Sequence, residues 1–403
     1  MRIAYLVSLY PATSHTFIRR EIVMLRKAGL HIDSFSIRKP PSDPKRASAE
    51  FAAESGQTFY VLAATRRTGV AAHLWAVVSH PARYFSTLGV ALTHRVPGAK
   101  SLVWALFHFA ESIVLAREIR RRGIDRIHNH FANSAATVGM LASRFLNIPW
   151  SLTLHGISET DYPAGLLLGR KIETAQFVAC VSWFGRAQAM RVTSPDQWHK
   201  FAIVRCGIDL AELPERRTAS NLAGRPARIL CVGRLSPEKG QAGLLEAFSK
   251  VLERGHAAQL ILVGDGPDRA MLEARAKDLG LTEVTTFTGR LDEAATLVAI
   301  SQCDVLVSSS FMEGLPVVLM EAMALDVCVV ASRVAGIPEL VEDGRTGYLF
   351  TPANWSELAD KIELAITDQK KQENIRVDAR KLIESDFAID KAVVPMIDLL
   401  RQI

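Results

Sequence analysis

The sequence has few cysteines, and no two of them are close together. Its 403 residues contain five, at positions 180, 206, 231, 303 and 328. Without a C-x2-C pair or a closely spaced group, neither a zinc site nor a disulfide framework is predicted. Most of the five lie inside apolar runs, so we expect small core residues in a reducing compartment.

Long hydrophobic runs are also lacking. The apolar start MRIAYLVSLY is too brief for a signal peptide, so we interpret it as a first strand. The longest apolar reach, residues 102–116, is interrupted by His108 and Glu111 and is too short to span a bilayer. We therefore predict no transmembrane segment and a cytoplasmic location.

Two other classes of signature are absent. No G-x-G-x-x-G follows a predicted strand, which argues against a dehydrogenase. No zinc finger or interleaved aromatic RNA-binding motif occurs, which argues against nucleic acid as a partner. With 49% hydrophobic and 22% charged residues, the chain is globular and long enough for two domains.

Positive charge is concentrated in one part of the chain. Residues 1–125 hold 18 Lys and Arg against 8 Asp and Glu, and the remainder holds 30 against 34. A basic domain face could meet nucleic acid, anionic lipid or a phosphorylated acceptor, or could be ordinary solvated arginines. The apolar helical patterns of residues 66–122, flanked by arginines, would suit peripheral contact with the inner membrane face, or plain packing within the domain.

The most informative stretch is SSSFMEGLPVVLMEAMA, residues 308–324. A buried-type strand, DVLVS, precedes it, a turn follows at Glu313, and Pro316 suits the first position of a helix. Glu321 would then stand roughly 8 Å along the axis from Glu313. Helix N-termini at strand ends bind anions, so the geometry predicts a sugar at Glu313, a diphosphate over the Gly314 and Leu315 amides, and a ribose at Glu321. The alternative is that Glu313 is an ordinary turn residue and that Glu321 is a solvated helix residue.

A second candidate site lies in the loop GRLSPEKG, residues 233–240, between a predicted strand and a predicted helix. Arg234 and Lys239 could place a planar guanidinium and a flexible ammonium around one diphosphate. A pair of solvated charges is the alternative. Before this loop, the polar segment 213–226 is rich in helix and strand breakers and predicts the domain boundary.

The N-terminal half offers histidines and hydroxyls at strand ends. Period two places His128 and His130 on one face of a strand, where metal ligation or a structural role is open. The strand WSLTLHG ends at His155. After the first strand, Ser14 or Thr16 could cap a helix spanning residues 17–28, or Ser14 could contact a ligand.

Together these motifs resemble the retaining glycosyltransferases of family four. The E-x7-E stretch and VGRLSPEKG match the family's donor-binding elements, and LILVGDGP (260–267), VTTFTGRL (284–291) and AGIPELVEDGRTGYLF (335–350) follow in order. The opening SLYPATSHTFIRRE resembles the P-x-x-S-E-T-F-I-x-x-E start of exopolysaccharide and colanic-acid-type members, with His15 replacing the usual Glu.

The resemblance implies an α/β GT-B fold, two facing Rossmann-like domains with a cleft between them. The first domain would span 1–212 plus a crossing helix at about 387–403, and the second 213–386. It implies a metal-independent enzyme without a cofactor, taking a nucleoside-diphosphate sugar as co-substrate and a glycan or lipid-linked acceptor. The implied catalytic residues are His155, Glu313, Arg234 and Lys239. The implied donor-binding residues are Arg234, Lys239, Gly264, Gly289, Arg290, Gly314, Leu315, Pro316, Glu321 and Ser14.

Other functions remain open at this stage. A nucleotide-sugar epimerase or sugar phosphorylase would share the fold and the donor motifs. A membrane-surface scaffold without turnover would share the basic N-terminal domain.

Overall fold

The computed structural model of the protein describes residues 1–12, 15–40, 49–215 and 225–402. It consists of two compact units, Met1–Arg205 with Val393–Ile403, and Cys206–Ala392. The boundary that we predicted at 212/213 therefore falls inside the second unit, and the chain re-enters the first unit at 393 rather than 387. Most of the predicted linker, residues 216–224, lies outside the described residues.

The described strands of the first unit form one parallel sheet. They are β1 (Arg2–Leu9), β2 (His31–Arg38), β3 (Phe59–Tyr60), β4 (Arg126–His130), β5 (Trp150–Leu154), β6 (Val178–Cys180) and β7 (Phe201–Ile203). Their order across the sheet is β3-β2-β1-β4-β5-β6-β7. A parallel sheet is covered on both faces, so its inner strands β4 and β5 are buried throughout, including the polar residues of β4. The predicted first strand is confirmed, since its central residues Ile3–Val7 are buried.

Helices connect these strands. They are α1 (Thr16–Lys27), α2 (Ala49–Gln57), α3 (Val61–Ser79), α4 (Pro81–Thr93), α5 (Ala99–Arg122), α6 (Ser134–Leu146), α7 (Gly165–Thr174) and α8 (Trp183–Met190). Helix α1 buries Ile18, Ile22 and Leu25, which share one face at helical spacing. Pro81 begins α4, where the missing N–H of proline costs no hydrogen bond.

Two clusters cover the two faces of this sheet. One contains α5 and α6 side chains, among them Phe109, Ile113 and Leu141. The other contains α1 together with Met396 and Leu400 from the end of the chain. This terminal region, predicted as one crossing helix from about residue 387, is divided into α15 (Ile389–Ala392) in the second unit and α16 (Val394–Arg401) in the first.

Helix α5 extends beyond both ends of the apolar segment 102–116 that we identified in the sequence. By length and composition alone it could cross a membrane. Half of its apolar stretch is buried within the protein, where Phe109 and Ile113 pack in the core. The C-terminal half of α5 is thus an ordinary core helix.

The second unit repeats the architecture. Its described strands are β8 (Ala227–Val232), β9 (Ala258–Val263), β10 (Thr285–Gly289), β11 (Val305–Ser308), β12 (Cys328–Ser332) and β13 (Tyr348–Phe350), in the parallel order β10-β9-β8-β11-β12-β13. Its other helices are α9 (Gln241–Glu253), α10 (Arg269–Asp278), α11 (Glu293–Ser301), α12 (Val317–Ala324), α13 (Trp355–Thr367) and α14 (Gln369–Leu382).

All five cysteines are buried thiols, as the sequence predicted. Burial raises the pKa of Cys231 and Cys328 to about 12, so both remain protonated. They are apolar core residues and not reactive groups.

The strand order reverses at one point in each sheet. In the first unit the reversal lies between β1 and β4, and in the second between β8 and β11. At such a point, the loops from the carboxyl ends of two adjacent strands diverge and leave a crevice that binds ligands. The loops after β8 and β11 carry the basic loop and the E-x7-E stretch, so these motifs lie at the reversal point of the second sheet.

Candidate active site

The two predicted donor motifs meet in a direct contact between charged side chains. Lys239 Nζ donates a hydrogen bond to Glu313 Oε1 at 2.6 Å. Ser310 Oγ donates to the same oxygen at 2.6 Å. The Glu313 side chain is only 11% exposed and that of Lys239 27% exposed, so water screens their charges weakly. The structure therefore joins residues 74 positions apart that sequence analysis had assigned to one ligand.

Backbone contacts hold these two loops together. Ser309 Oγ donates to the carbonyl of Lys239 at 2.9 Å, and the Phe311 amide donates to the carbonyl of Glu238 at 2.9 Å. Gly240 has a left-handed φ of +64°, and a Cβ there would lie 2.3 Å from the Ser309 carbonyl oxygen. Only glycine allows the loops to approach so closely.

Arg234 lies on the outer side of the same loop. Its side chain is exposed and forms no ion pair with any residue in the described ranges. Its backbone carbonyl accepts a hydrogen bond from Gln241 Nε2 at 2.8 Å, which anchors the loop to the start of α9. A charged guanidinium on a fixed backbone is available to an anionic ligand.

The start of α12 differs in one detail from the prediction. Pro316 does not begin the helix but precedes it, with an extended ψ of 114°, and Val317 is the first helical residue. Leu315 is buried, and the Gly314 carbonyl accepts a hydrogen bond from the Gly336 amide at 3.2 Å. The turn between Glu313 and the helix is thereby fixed.

Glu321 is the fifth residue of α12, as the spacing predicted. It is buried, with 8% of its surface exposed, which excludes the alternative of a solvated helix residue. A buried carboxylate at this position needs polar partners. The structure places it on the helix that follows Glu313, one turn beyond the N-terminus.

Two further predicted residues converge beside the basic loop. The Gly264 amide donates to the Gly289 carbonyl at 2.9 Å. A Cβ on Gly264, whose φ is +140°, would lie 1.9 Å from the Gly233 carbonyl oxygen. The loops after β8, β9 and β10 are therefore adjacent, and the exposed Arg290 follows directly.

In the first unit, His155 follows β5 directly at its carboxyl end. The Glu159 carboxylate accepts hydrogen bonds from the backbone amides of His155 and Gly156, at 2.5 and 2.9 Å, and from that of Ala132 at 2.5 Å. Glu159 thus ties the ends of β4 and β5 together. Burial raises the pKa of its carboxyl group, an effect that the three amides oppose.

Lys171 supports the same region from α7. Its Nζ is buried and donates to the backbone carbonyls of Ala132 and Asn133, at 2.6 and 3.1 Å. Burial lowers the pKa of Lys171 to about 7, although the Glu159 charge opposes the shift. In the turn after β4, the Glu159 carboxylate therefore accepts from a backbone amide, and the Lys171 side chain donates to two backbone carbonyls.

The His155 ring lies between aromatic side chains. Ring centroids of Phe131 and Phe17 are 4.6 and 4.8 Å away, and His130 Nδ1 is 2.9 Å from His155 Nε2. Burial and the neighbouring His130 lower the pKa of His155 well below its ordinary value. The imidazole is therefore neutral at physiological pH.

His128 and His130 share one face of β4, as period two predicted. Both are buried, and their ring centroids are 5.1 Å apart. Their neighbour Glu21, on α1, completes a group whose ligand atoms all lie within 4.8 Å of one another. Ser14, the remaining predicted contact, lies outside the described residues.

Sequence analysis did not identify Glu21, Glu159, Lys171 or Ser310. Glu159 and Ser310 lie within four residues of predicted site residues, so a local search for capping side chains could have found them. Glu21 is 109 residues from His130 in the sequence, and no local pattern connects the two.

Comparison with known proteins agrees with this fold. The whole chain aligns with Anabaena Alr3699/HepE, solved in complex with UDP and glucose, at a TM-score of 0.75 and 19% identity over 100% of both chains. Among curated proteins, alpha-D-kanosaminyltransferase of Streptomyces kanamyceticus is 28% identical over 75% of this chain and 82% of its own length. The putative colanic acid biosynthesis glycosyltransferase WcaL of Salmonella typhimurium is 24% identical over 96% of each.

The protein is thus a glycosyltransferase with the GT-B fold. Residues 214–382 match the family described as glycosyl transferases group 1. This match covers the basic loop and the E-x7-E stretch, so the predicted resemblance to glycosyltransferases is confirmed.

Proposed function

We propose that this glycosyltransferase moves a sugar from a nucleoside diphosphate onto an acceptor hydroxyl, with retention of configuration, in the synthesis of a cell-surface polysaccharide or glycolipid. The observation that carries the proposal is the Lys239–Glu313 contact at the reversal point of the second sheet. It brings a cation suited to a diphosphate within 2.6 Å of a carboxylate suited to sugar hydroxyls.

Each residue has a defined role in the reaction. The bond between the sugar's anomeric carbon and the diphosphate oxygen breaks, and Arg234 and Lys239 stabilise the negative charge that develops on the diphosphate. The amides at the start of α12 add to this stabilisation. Glu313 orients the sugar through its hydroxyls, and Glu321 holds the ribose.

The acceptor attacks on the face that the diphosphate leaves. Its oxygen forms the new bond to the anomeric carbon, and its proton passes to the departing phosphate oxygen. These cations and the helix N-terminus supply the positive charge, so the reaction proceeds without a metal ion. The backbone around Gly289 and Arg290, beside Gly264, would hold the nucleotide base.

The experiment begins with a panel of UDP-, GDP- and ADP-sugars, because the Anabaena relative is seen with UDP and glucose. Release of nucleoside diphosphate is measured with and without glycan and lipid-linked acceptors, beside a Lys239→Met/Glu313→Gln control. We expect release only with an acceptor, and NMR of the product should show the anomer of the donor. A changed nucleotide-sugar in the donor-only arm would instead identify an epimerase.

The first unit carries an apolar surface that supports an acceptor at the membrane. Helix α3 exposes Val70, Leu74 and Val78 at a spacing of four, so they lie on one face. The N-terminal half of α5 exposes Leu102, Val103, Trp104, Leu106 and Phe107, with Trp104 54% and Phe107 56% exposed. Exposed aromatic and aliphatic side chains of this kind suit the headgroup boundary of a bilayer.

The charges around this surface have one sign. Residues 61–110 contain five Lys and Arg and no Asp or Glu. Each cation near an anionic surface contributes about 1 kcal/mol. We therefore place the protein peripherally on the inner face of the cytoplasmic membrane, held by electrostatics and a few apolar side chains.

Two of the arginines at the other end of α5 form ion pairs within the protein. Arg121 and Arg122 pair with Glu118 at 2.6 and 2.7 Å, and Arg122 also pairs with Asp33 at 3.0 Å. Their charges are compensated within the protein, so they are poor choices for testing membrane contact.

Co-sedimentation with vesicles that contain anionic lipid tests the surface. We expect the wild type to pellet at low salt and to remain soluble at high salt, because the attraction falls off within a Debye length. Arg66→Gln/Arg67→Gln/Lys100→Gln should weaken pelleting, whereas a charge-matched control with Gln at the exposed Lys277, Lys370 and Lys381 of the second unit should not. A wild type that stays in the supernatant at low salt would contradict the membrane location.

A further inference from the structure

The residue that follows helix α4 is a buried histidine whose Nε2 atom has no hydrogen-bond partner among the described residues. This residue, His94, is only 5% exposed. A buried polar atom without a partner costs free energy, because the hydrogen bond to water that it loses is not replaced. His94 Nε2 is therefore available to a bound ligand.

Three other groups that can carry positive charge lie near His94. Arg170 Nη1 on α7 donates to the hydroxyl of Thr93, the residue before His94, at 3.0 Å. Lys171 follows Arg170, and both act electrostatically on His94, as does His108 on α5. Lys171 also acts on His108. Helices α4, α5 and α7 therefore bring four potential cations together.

The electrostatics of this cluster favour a negatively charged ligand. Burial, together with the positive neighbours, lowers the pKa of His94 to about 3 and that of His108 to about 4. Both rings are therefore neutral without a ligand, and an anion would offset the effects that disfavour their charged forms. Glu159 contributes a negative charge beside Lys171, but three backbone amides already donate to that carboxylate.

A metal ion is the competing explanation, since histidine is a common metal ligand. The surrounding charges argue against it. Residues 61–110 contain no Asp or Glu, so α3, α4 and the N-terminal half of α5 offer no carboxylate to balance a metal ion. Arg170 is permanently charged and would repel one.

The position of the cluster indicates where the anion comes from. His108 and Arg170 are partly exposed, so the cluster reaches the surface. Trp104, one of the exposed apolar side chains of α5, has its ring centroid 6.1 Å from that of His108. Leu166, which is 59% exposed, lies four residues before Arg170 and thus on the same face of α7. An anionic group beside exposed apolar side chains matches a lipid headgroup.

We propose that His94, His108 and Arg170 form a binding site for the terminal phosphate of an anionic lipid, with Lys171 adding positive charge. A phosphate monoester presents three acceptor oxygens, and each of the three side chains can donate an N–H to one of them. A phosphodiester has only two non-bridging oxygens and satisfies fewer donors. The inference rests on the proposed membrane location and adds a preference among anionic lipids.

Vesicle binding by the full-length protein tests this preference. The vesicles contain phosphatidylcholine with either phosphatidic acid, whose phosphate is terminal, or phosphatidylglycerol, in amounts adjusted to equal surface potential. We expect about tenfold tighter binding to phosphatidic acid, the gain from one additional hydrogen bond to a charged group. Equal binding to the two lipids would overturn the site, because general electrostatic attraction would explain it.

Glycerol 3-phosphate distinguishes a lipid from a free phosphate, because it carries the same phosphate monoester without acyl chains. We expect it to compete with phosphatidic acid vesicles only weakly. Binding of glycerol 3-phosphate by a protein that does not bind these vesicles would show a site for free phosphate and refute the lipid assignment.

Substitutions test the residues. His94→Phe/His108→Phe keeps both rings, and at His94 Nε2 it breaks no hydrogen bond to a described residue. We expect this variant to lose the preference for phosphatidic acid while still binding phosphatidylglycerol. Arg170→Gln, at a partly exposed position, should do the same if the double variant fails to fold. The control His199→Phe, at an exposed histidine of the same unit, should keep the preference. A preference retained in the folded variants of the cluster would refute the site.

Turnover measured on the same wild-type sample separates the site from the proposed function. A protein that prefers phosphatidic acid but transfers no sugar would support the site and contradict the proposed function. A protein that transfers sugar and binds both lipids equally would retain the function and refute the site.

Discussion

Lys239 has two roles that a single substitution cannot separate. In the ligand-free protein it pairs with Glu313, and in the proposed reaction it binds the departing diphosphate. Lys239→Ala alone would remove both contacts and leave a carboxylate that is only 11% exposed without its cation. A double-mutant cycle of Lys239→Met and Glu313→Gln isolates the pair, because the double variant contains neither charge.

The geometry sets the expected size of the coupling. At 2.6 Å and an effective dielectric constant of 20, the Coulomb attraction is about 6 kcal/mol. Desolvation of two partly buried charges offsets most of this. Pairs in contact usually show coupling energies of about 0.5–3 kcal/mol, and the weak exposure of Glu313 places this pair at about 1–3 kcal/mol.

Urea unfolding of the four proteins measures this coupling, and turnover is measured on the same samples. We expect Lys239→Met to lower kcat by about 10²–10³-fold, the loss typical of one oxyanion-hole donor. The control pair is Lys361 and Asp343, 3.1 Å apart in the same unit, whose removal should affect stability but not turnover. Coupling below 0.5 kcal/mol would show that the pair is absent in solution. Turnover of Lys239→Met within about threefold of wild type, a far smaller loss than that of one such donor, would remove Lys239 from the mechanism.

Three other predictions concern charge. Arg234→Ala should lower kcat by about 10²–10³-fold while changing the free energy of unfolding by less than about 0.5 kcal/mol, as expected for an exposed side chain; equal turnover would contradict its role. Chelation with EDTA should leave turnover intact, and an activity that EDTA abolishes and manganese restores would refute the metal-independent mechanism. Burial lowers the pKa of Lys171 from 10.5 to about 7, so the folded state loses stability as pH falls from 10.5 towards 7. Lys171→Met should remove a difference of about 5 kcal/mol over this range; identical pH profiles by urea unfolding would contradict the shift.

The sequence predicted the second unit well because its site is built from local segments. A buried strand, a loop with fixed charges and a helix follow one another twice, and the parallel arrangement brings the two loops together at the sheet edge. The positions of Lys239 and Glu313 follow from that logic. The burial of Glu321 could not be predicted in this way, because helical periodicity does not reveal which neighbours cover a polar residue.

The first unit was harder to predict because its polar contacts join distant segments. Tyr5 lies within β1, His130 ends β4, His155 follows β5 and Glu21 is on α1, and only the folded sheet makes them neighbours. The arginines after residue 119 illustrate the same limit. Their sequence indicates a basic cluster, whereas the structure pairs two of them with Glu118 and Asp33.

In the ligand-free site, Lys239 compensates the negative charge of Glu313, and this pairing affects how a nucleotide-sugar would bind. Glu313 alone would repel a diphosphate, but Lys239 and the Ser310 hydroxyl both contact its Oε1 atom. Sugar hydroxyls can replace these donors at the carboxylate while Lys239 turns towards the phosphates, so each charge exchanges one partner for another. A nucleoside diphosphate without its sugar would take Lys239 and leave Glu313 with Ser310 alone. Under the proposed function, complete exchange would therefore require both parts of a nucleotide-sugar, and this contact would favour the intact donor over the product diphosphate.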